Sequence, residues 1–210
     1  MAPNKSSLTK MSTFTRPRHY SIGMKKTSKY NIICFGFLPW SNMWKRNQSM
    51  IAELAKCDLI NKVIFINPLI SIRNIFNHKK NDSDSTINYF HKVLPFHIAP
   101  NLLRYTPINI IPYKAVFSPL KKIGLKIILK IIERLNSNMP YILFMNCPNI
   151  ILHYVIDELL KKAKISIFDF SDDFIELGYG KETIELFRRN ATKYAQAADI
   201  VLAVNEHVRN

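Results

Sequence analysis

The stretch Tyr30–Pro68, YNIICFGFLPWSNMWKRNQSMIAELAKCDLINKVIFINP, limits the possible folds more than any other part of the chain. An apolar run, Ile32–Phe37, leads into a loop rich in proline and tryptophan. An amphipathic segment, Lys45–Asp58, follows, and then a second apolar run, Lys62–Asn67. Strand, helix and strand in that order make a β-α-β unit, the opening of a parallel α/β sheet. Within the helix, Met50, Ile51, Leu54 and Ala55 recur at helical spacing and are expected to face the sheet, with Glu53 and Lys56 on the other side. Pro68 stops the second strand. Ligands of open parallel sheets bind beyond the carboxyl ends of the strands. The loop leaving the first strand carries Trp40, Trp44, Arg46 and Gln48, so the least ordinary side chains stand where a site is expected.

The rest of the chain continues the alternation. Residues 71–86 are polar and read as a loop. A weak strand or hairpin is expected over Tyr89–Ile98, a strand over Asn101–Tyr105, and an irregular, proline-bearing stretch over Asn109–Ser118. Pro119–Asn136 is a strongly amphipathic helix. Leu120, Ile123, Ile127, Ile128, Ile131, Ile132 and Leu135 form one face, and Lys122, Lys126, Lys130 and Arg134 form another. Two readings apply to it: a core-facing helix with a solvated basic stripe, or a helix whose basic face meets an anionic membrane surface. A strand at Tyr141–Met145, a helix near Ile150–Lys162 and a strand at Lys164–Asp169 come next. A helix at Glu182–Ala197 and a strand at Ile200–Val204 close the pattern. Asn205 is placed to cap a further helix opening at Glu206. That helix has only five residues, so the chain is expected to stop short of a longer protein design.

With 48% apolar and 21% charged residues among 210, the chain can bury a core. Its net charge of +15 is uneven. Residues 1–29 hold seven Lys and Arg and no acid, and read as a disordered basic tail. The tail has no apolar segment of a secretory signal, though its composition is similar to an organelle transit peptide. Residues 30–210 are expected to form one domain. The remaining charge favours anionic partners. Cys34, Cys57 and Cys147 are scattered in apolar surroundings and fit neither a disulfide framework nor zinc spacing, so a reducing compartment is expected. No apolar run is long enough to span a membrane.

Two constellations are candidates for chemistry. In the first loop, Trp40 and Trp44 offer flat apolar faces for a sugar ring or base. Arg46 offers a planar fork for phosphate or carboxylate, near a helix N-terminus that itself favours anions. The structural alternative packs Trp44 into the core and pairs Arg46 with an acid. The second constellation is an acidic turn, Asp169-x-x-Asp172-Asp173, at the end of a buried strand. It suits hydroxyl recognition or proton transfer. The alternative has Asp172 or Asp173 capping a helix and Asp169 accepting backbone hydrogen bonds or pairing with Arg46. No metal site is expected, because supporting ligand spacing is missing. With five glycines in all, the chain has no G-x-G-x-x-G loop, which argues against a dinucleotide-binding domain. Nucleophile-elbow, Cys/His nucleophile and nucleic-acid-reading motifs are also missing.

Three segments together resemble bacterial family-4-like glycosyltransferases. Trp40-x-x-x-Trp44-x-Arg46-x-Gln48, with its helix and a strand ending Ile66-Asn67-Pro68, is similar to their W-x-x-x-W-Q-R-P-Q opening. Phe168–Phe174 resembles their Y-D-x-x-D-D-F turn. Ala198–Glu206 resembles their A-D-x-V-x-x-x-S-E strand end. Lys45, Asn47 and Asn205 depart from the pattern. The resemblance implies a Rossmann-like parallel sheet with helices on both faces, one half of the two-domain GT-B arrangement. It further implies that this half binds the acceptor through Trp40, Trp44, Arg46, Gln48, Asp169, Asp172, Asp173 and Glu206, with no catalytic residue assigned. The nucleotide-sugar donor would be held by a second domain, which this chain is expected to lack.

The expected function is therefore acceptor binding in sugar transfer to a cell-envelope polysaccharide or glycolipid. Transfer would need a donor-domain polypeptide, and this chain alone would bind no cofactor. The place expected is the cytoplasm, peripheral to the inner face of the membrane, with Lys122, Lys126, Lys130 and Arg134 on the lipid surface. The alternative is a non-enzymatic remnant or membrane-surface module. Nucleic-acid binding through the tail ranks last.

Overall fold

A computed structural model describes residues 29–40, 46–71, 94–109, 118–146, 152–170 and 181–203. Of the expected tail at 1–29 only Lys29 is described, and of the expected loop at 71–86 only Ser71; the helix expected at Glu206 lies outside the described residues. The elements are β1 (Tyr30–Phe35), α1 (Arg46–Leu54), β2 (Ile60–Ile66), β3 (Ile70–Ser71), β4 (Phe96–Ala99), β5 (Leu102–Tyr105) and β6 (Ile108–Asn109). Then come α2 (Ser118–Asn136), β7 (Tyr141–Met145), α3 (His153–Leu160), β8 (Ile165–Phe170), α4 (Lys181–Ala197) and β9 (Ile200–Ala203). The fold is α/β and Rossmann-like, as expected.

Seven strands form one sheet in the order β4-β5-β2-β1-β7-β8-β9. All neighbours are parallel except the edge pair, where β4 runs antiparallel to β5. The turn at Pro100-Asn101 allows that hairpin, and the Arg104 guanidinium lies 5.5 Å from the centroid of the Phe96 ring. Of the stretch expected to be irregular, Asn109–Ser118, Asn109 closes β6, which pairs with β3 in a separate two-stranded sheet, Ser118 opens α2, and residues 110–117 lie outside the described residues.

A parallel sheet must be covered on both faces. One face carries Ile32, Cys34, Val63, Phe65 and Phe144 and is covered by Ile51 of α1 and by Ala55 in the turn after it. The other carries Ile33, Phe35, Ile64, Ile66, Leu143, Met145 and Phe168. It packs under Leu125, Ile128 and Ile132 of α2, under Val155, Ile156 and Leu159 of α3, and under Tyr194 of α4. Residue alternation along each strand assigns these faces, since successive side chains point opposite ways.

Two details correct the sequence expectation. The helix of the first unit ends at Leu54, not Asp58, because Lys56 and Cys57 bond three residues back, to the carbonyls of Glu53 and Leu54. Cys57 in that turn is exposed, while Cys34 is buried. In α2, Ile123 and Ile127 do not face the core: they are 52% and 49% exposed. The apolar residues of α2 spread over too wide an arc for one buried face to hold. Leu125, Ile128 and Ile132 take the centre of that face, and this turns Ile123 and Ile127 outward among the lysines.

At the amino edge of the sheet, α2 is tied down by a buried amide network. The Asn31 side chain in β1 donates to the Asn136 backbone carbonyl at 2.9 Å and to its Oδ1 at 2.8 Å. Asn136 Nδ2 donates to Met139 O at 2.7 Å, and Asn61 Nδ2 donates to Asn31 Oδ1 at 2.9 Å. Lys62 Nζ donates to Leu135 O at 2.9 Å, a cation at the negative end of the helix dipole. Ser137 and Asn138 then take left-handed backbone conformations (φ 54° and 57°) that turn the chain out of the helix and into β7.

Removing one partner of this network strands buried polar atoms. Asn136→Ala is expected to cost roughly 2 kcal/mol or more, read as a lower urea midpoint. Burial also pushes the Tyr105 phenol up to about 12 and raises Tyr141 still further, with the Glu133 carboxylate adding to the rise there. The unfolded chain then loses these protons first. Stability is expected to be full below the ordinary tyrosine value and to fall as the pH climbs through it toward about 12, measured by thermal melts across that range.

Candidate functional site

Strand order reverses between β1 and β7. From β1 the chain winds through α1 to β2 on one side, and from β7 it winds through α3 to β8 on the other. The two windings diverge at the carboxyl ends of β1 and β7, which opens a crevice. Three described segments border it: Gly36–Trp40 after β1, Asn146 after β7, and Asp169-Phe170 at the end of β8.

The loop after β1 is held by backbone and side-chain bonds. Gly36 N donates to Ile66 O at 2.9 Å, and Trp40 N donates to Asn67 Oδ1 at 2.8 Å. Asn67 in turn donates to Thr106 Oγ1 at 2.7 Å. Gln48 Nε2, reaching back from α1, donates to Pro39 O at 3.0 Å. The Trp40 ring stands edge-on to Phe65, with centroids 4.9 Å apart and planes at 79°. Such a pair is worth ~1 kcal/mol beyond its area. Gly36 is required for this closeness: a Cβ there would sit 2.3 Å from Phe65 Cζ, and that ring is wedged between the sheet and Trp40.

The loop geometry therefore gives two candidate residues a positioning role. Gln48 is almost fully buried and fixes the loop backbone. Trp40 is half-buried and braced by Phe65. Arg46 opens α1, and its side chain lies outside the description. Trp44, Asp172, Asp173 and Glu206 also lie outside the described residues.

Asp169 is fully buried at the carboxyl end of β8. It lies one step beyond the paired residues Met145 and Phe168, level with Asn146 in the sheet register. Alternation places Asn146, Asp169 and Cys34 on one face. Asn146 N donates to Phe35 O at 3.1 Å, and Cys34 Sγ lies 3.8 Å from Asn146 Oδ1. The Asn146 amide nitrogen is buried with no hydrogen-bond partner among the described residues. A buried orphan donor of this kind ordinarily costs free energy and calls for an explanation. The sequence reading overlooked both Asn146 and Asn67. Asn67 was quoted only as part of a strand end, and Asn146 follows its strand with no motif around it. The signal for each was an amide immediately after an apolar strand.

β8 lies three strands from β2, whose Phe65 braces the Trp40 ring, so Asp169 and that indole stand roughly 14 Å apart across the sheet. The third resembling segment has a structural use. Asp199 Oδ2 accepts from Ser166 N at 2.9 Å and from Ser166 Oγ at 2.8 Å, which fixes the entry of β9 beside β8. The basic residues Lys122, Lys126, Lys130 and Arg134 are all exposed on α2, away from this crevice. A cavity of about 400 Å³ lies at the opposite, amino edge, lined by Asn136, Asn138, Tyr141 and Lys164 among others. It surrounds the turn between α2 and β7 and shares no residue with the crevice.

Comparison of the chain with protein-family models, with curated proteins and with solved structures gave no match. Among the described residues, no helix is long and apolar enough to cross a membrane.

Gly36→Ala is expected to push Phe65 against Trp40. Overpacking of this kind costs roughly 1–3 kcal/mol. It should appear as a lower melting temperature together with a shift in tryptophan emission; an unchanged melt would mean that the ring moves freely.

Proposed function

We propose that this domain is the acceptor-binding half of a sugar transferase that works on cell-envelope polysaccharide or glycolipid at the inner face of the membrane. The observation that carries this reading is the grouping at the strand-order reversal. A braced indole on the loop after β1, a fully buried carboxylate at the end of β8 and, after the β7 strand between them, a buried amide nitrogen with no partner among the described residues all lie at the carboxyl ends of the sheet. An indole edge or face suits the apolar side of a pyranose ring, and a carboxylate and an amide suit its hydroxyls. The resemblance of the three segments supports the same reading. The donor nucleotide-sugar would be held by a separate donor domain. The roles proposed for this half are binding, orientation and exclusion of water, with Asp169 near the acceptor hydroxyl.

The test is a transfer assay with membrane-extracted lipid-linked acceptors and labelled nucleotide-sugars, run on this chain with and without a co-expressed donor domain. Turnover is expected only with both. Trp40→Ala and Asn146→Ala are each expected to lower it on the order of tenfold, chiefly through acceptor KM. No transfer with any donor domain, and no acceptor binding by the chain alone, would favour the non-enzymatic membrane-surface module. The exposed cations of α2 keep that second reading in play.

A further inference from the structure

The outward face of α2 combines features that a merely solvated helix does not need. Ile123 and Ile127 lie one turn apart and are each about half-exposed. Lys122, Lys126, Lys130 and Arg134 surround them and are exposed as well. None of the four has an ion-pair partner among the described residues. The one acid of α2, Glu133, lies on the flank of this face in line with Lys126 and Lys130, and its charge is taken up by Lys162 just after α3 at 2.6 Å. Single exposed isoleucines are ordinary on protein surfaces. Two on adjacent turns, flanked by four cations while the one carboxylate of the helix is paired to Lys162, match the chemistry of a bilayer interface: an apolar boundary beneath an anionic headgroup layer.

We infer that this face docks on an anionic bilayer, with Ile123 and Ile127 entering the acyl boundary and the four cations binding lipid phosphates. The inference rests on the peripheral location proposed above and adds a residue-level mode of attachment to it. The placement follows from helix length. Nineteen residues span roughly 28 Å, about the full height of the sheet. The carboxyl end of α2 is fixed at the amino edge by Asn31 and Lys62. Its first turns, with Lys122 and Ile123, therefore reach toward the carboxyl edge. Docked along its length, α2 holds the strand-end crevice beside the lipid surface, where a lipid-linked acceptor would enter from the headgroup layer.

The experiment is flotation of the full chain with vesicles of phosphatidylcholine alone or of equimolar phosphatidylcholine and phosphatidylglycerol. Binding is expected only to the anionic vesicles. The Ile123→Asn/Ile127→Asn double variant keeps every charge, including the basic residues of 1–29, yet should bind on the order of tenfold more weakly. Lys126→Gln/Lys130→Gln should weaken binding by a similar factor and reduce its salt dependence. Ile127→Trp should gain an emission component, absent from the parent, that bromine-labelled acyl chains quench.

Unchanged binding of the Asn pair would overturn the insertion while leaving a charge-driven peripheral location standing. An unquenched Ile127→Trp on bound vesicles would do the same. Loss of all vesicle binding, with self-association that the Asn pair abolishes, would overturn both and make this face a contact between copies of the chain. Sugar transfer is not read in any arm, so failure of the transferase reading remains separate.

Discussion

Strand β1 has hydrogen-bonded neighbours on both edges and packed layers on both faces, and the rest of the domain is arranged to keep it dry. Its backbone groups pair with β2 on one side and β7 on the other. Every residue from Asn31 to Phe35 is buried. A strand in that position admits no unpaired polar group, yet it contains Asn31. The fold resolves this by bringing Asn136, at the end of a distant helix, to accept both hydrogen bonds of the Asn31 amide, while Asn61 Nδ2 donates to the Asn31 oxygen. One buried asparagine thus fixes where α2 must end. Through the turn that follows, it also fixes where β7 begins.

The same central strand creates the crevice. The chain leaves β1 in one direction and later returns on the other side of it. No later segment is forced to cross the carboxyl ends of β1 and β7. Polar groups gather there because backbone leaving a sheet must find partners: Asn67 serves Trp40, and Gln48 serves Pro39. The amide of Asn146 departs from this pattern of mutual satisfaction. A buried donor without a partner among the described residues is a place where an arriving acceptor would gain a hydrogen bond. The amino edge, by contrast, closes on itself through amides and a lysine, as expected of a region that only supports the fold.

Much of the fold was legible because buried parallel strands are short continuous apolar runs, and the intervening helices carry a clear period. β7, α2, α4 and the start of β9 fall where the runs and periods place them. Boundaries depended on hydrogen bonds that a sequence does not display, as in the early end of α1. The candidate site was legible in part. Trp40 follows β1 and Asp169 lies in β8 near its carboxyl end, where the apolar runs before them place both. What each of them touches was not legible, since Phe65 and Thr106 reach the loop from strands far away in the chain. Asn146 has no motif around it; its distinction is a buried amide nitrogen with no partner among the described residues, which is a property of the packed state.

The sequence by itself determined the alternation of strand and helix, the clustering of unusual side chains after the first strand, and the basic stripe along one helix. These are local facts, set by the period of the backbone and the chemistry of neighbouring residues. Only the tertiary structure decided the strand order, and so which loops share a crevice. It also decided which arc of α2 faces inward. Nine leucines and isoleucines on one helix exceed what a single sheet face can cover, and packing against Leu143, Phe168 and their neighbours chose Leu125, Ile128 and Ile132. Ile123 and Ile127 were left outward, beside the lysines, because a close-packed core has a fixed area and the helix offered it more than it could bury.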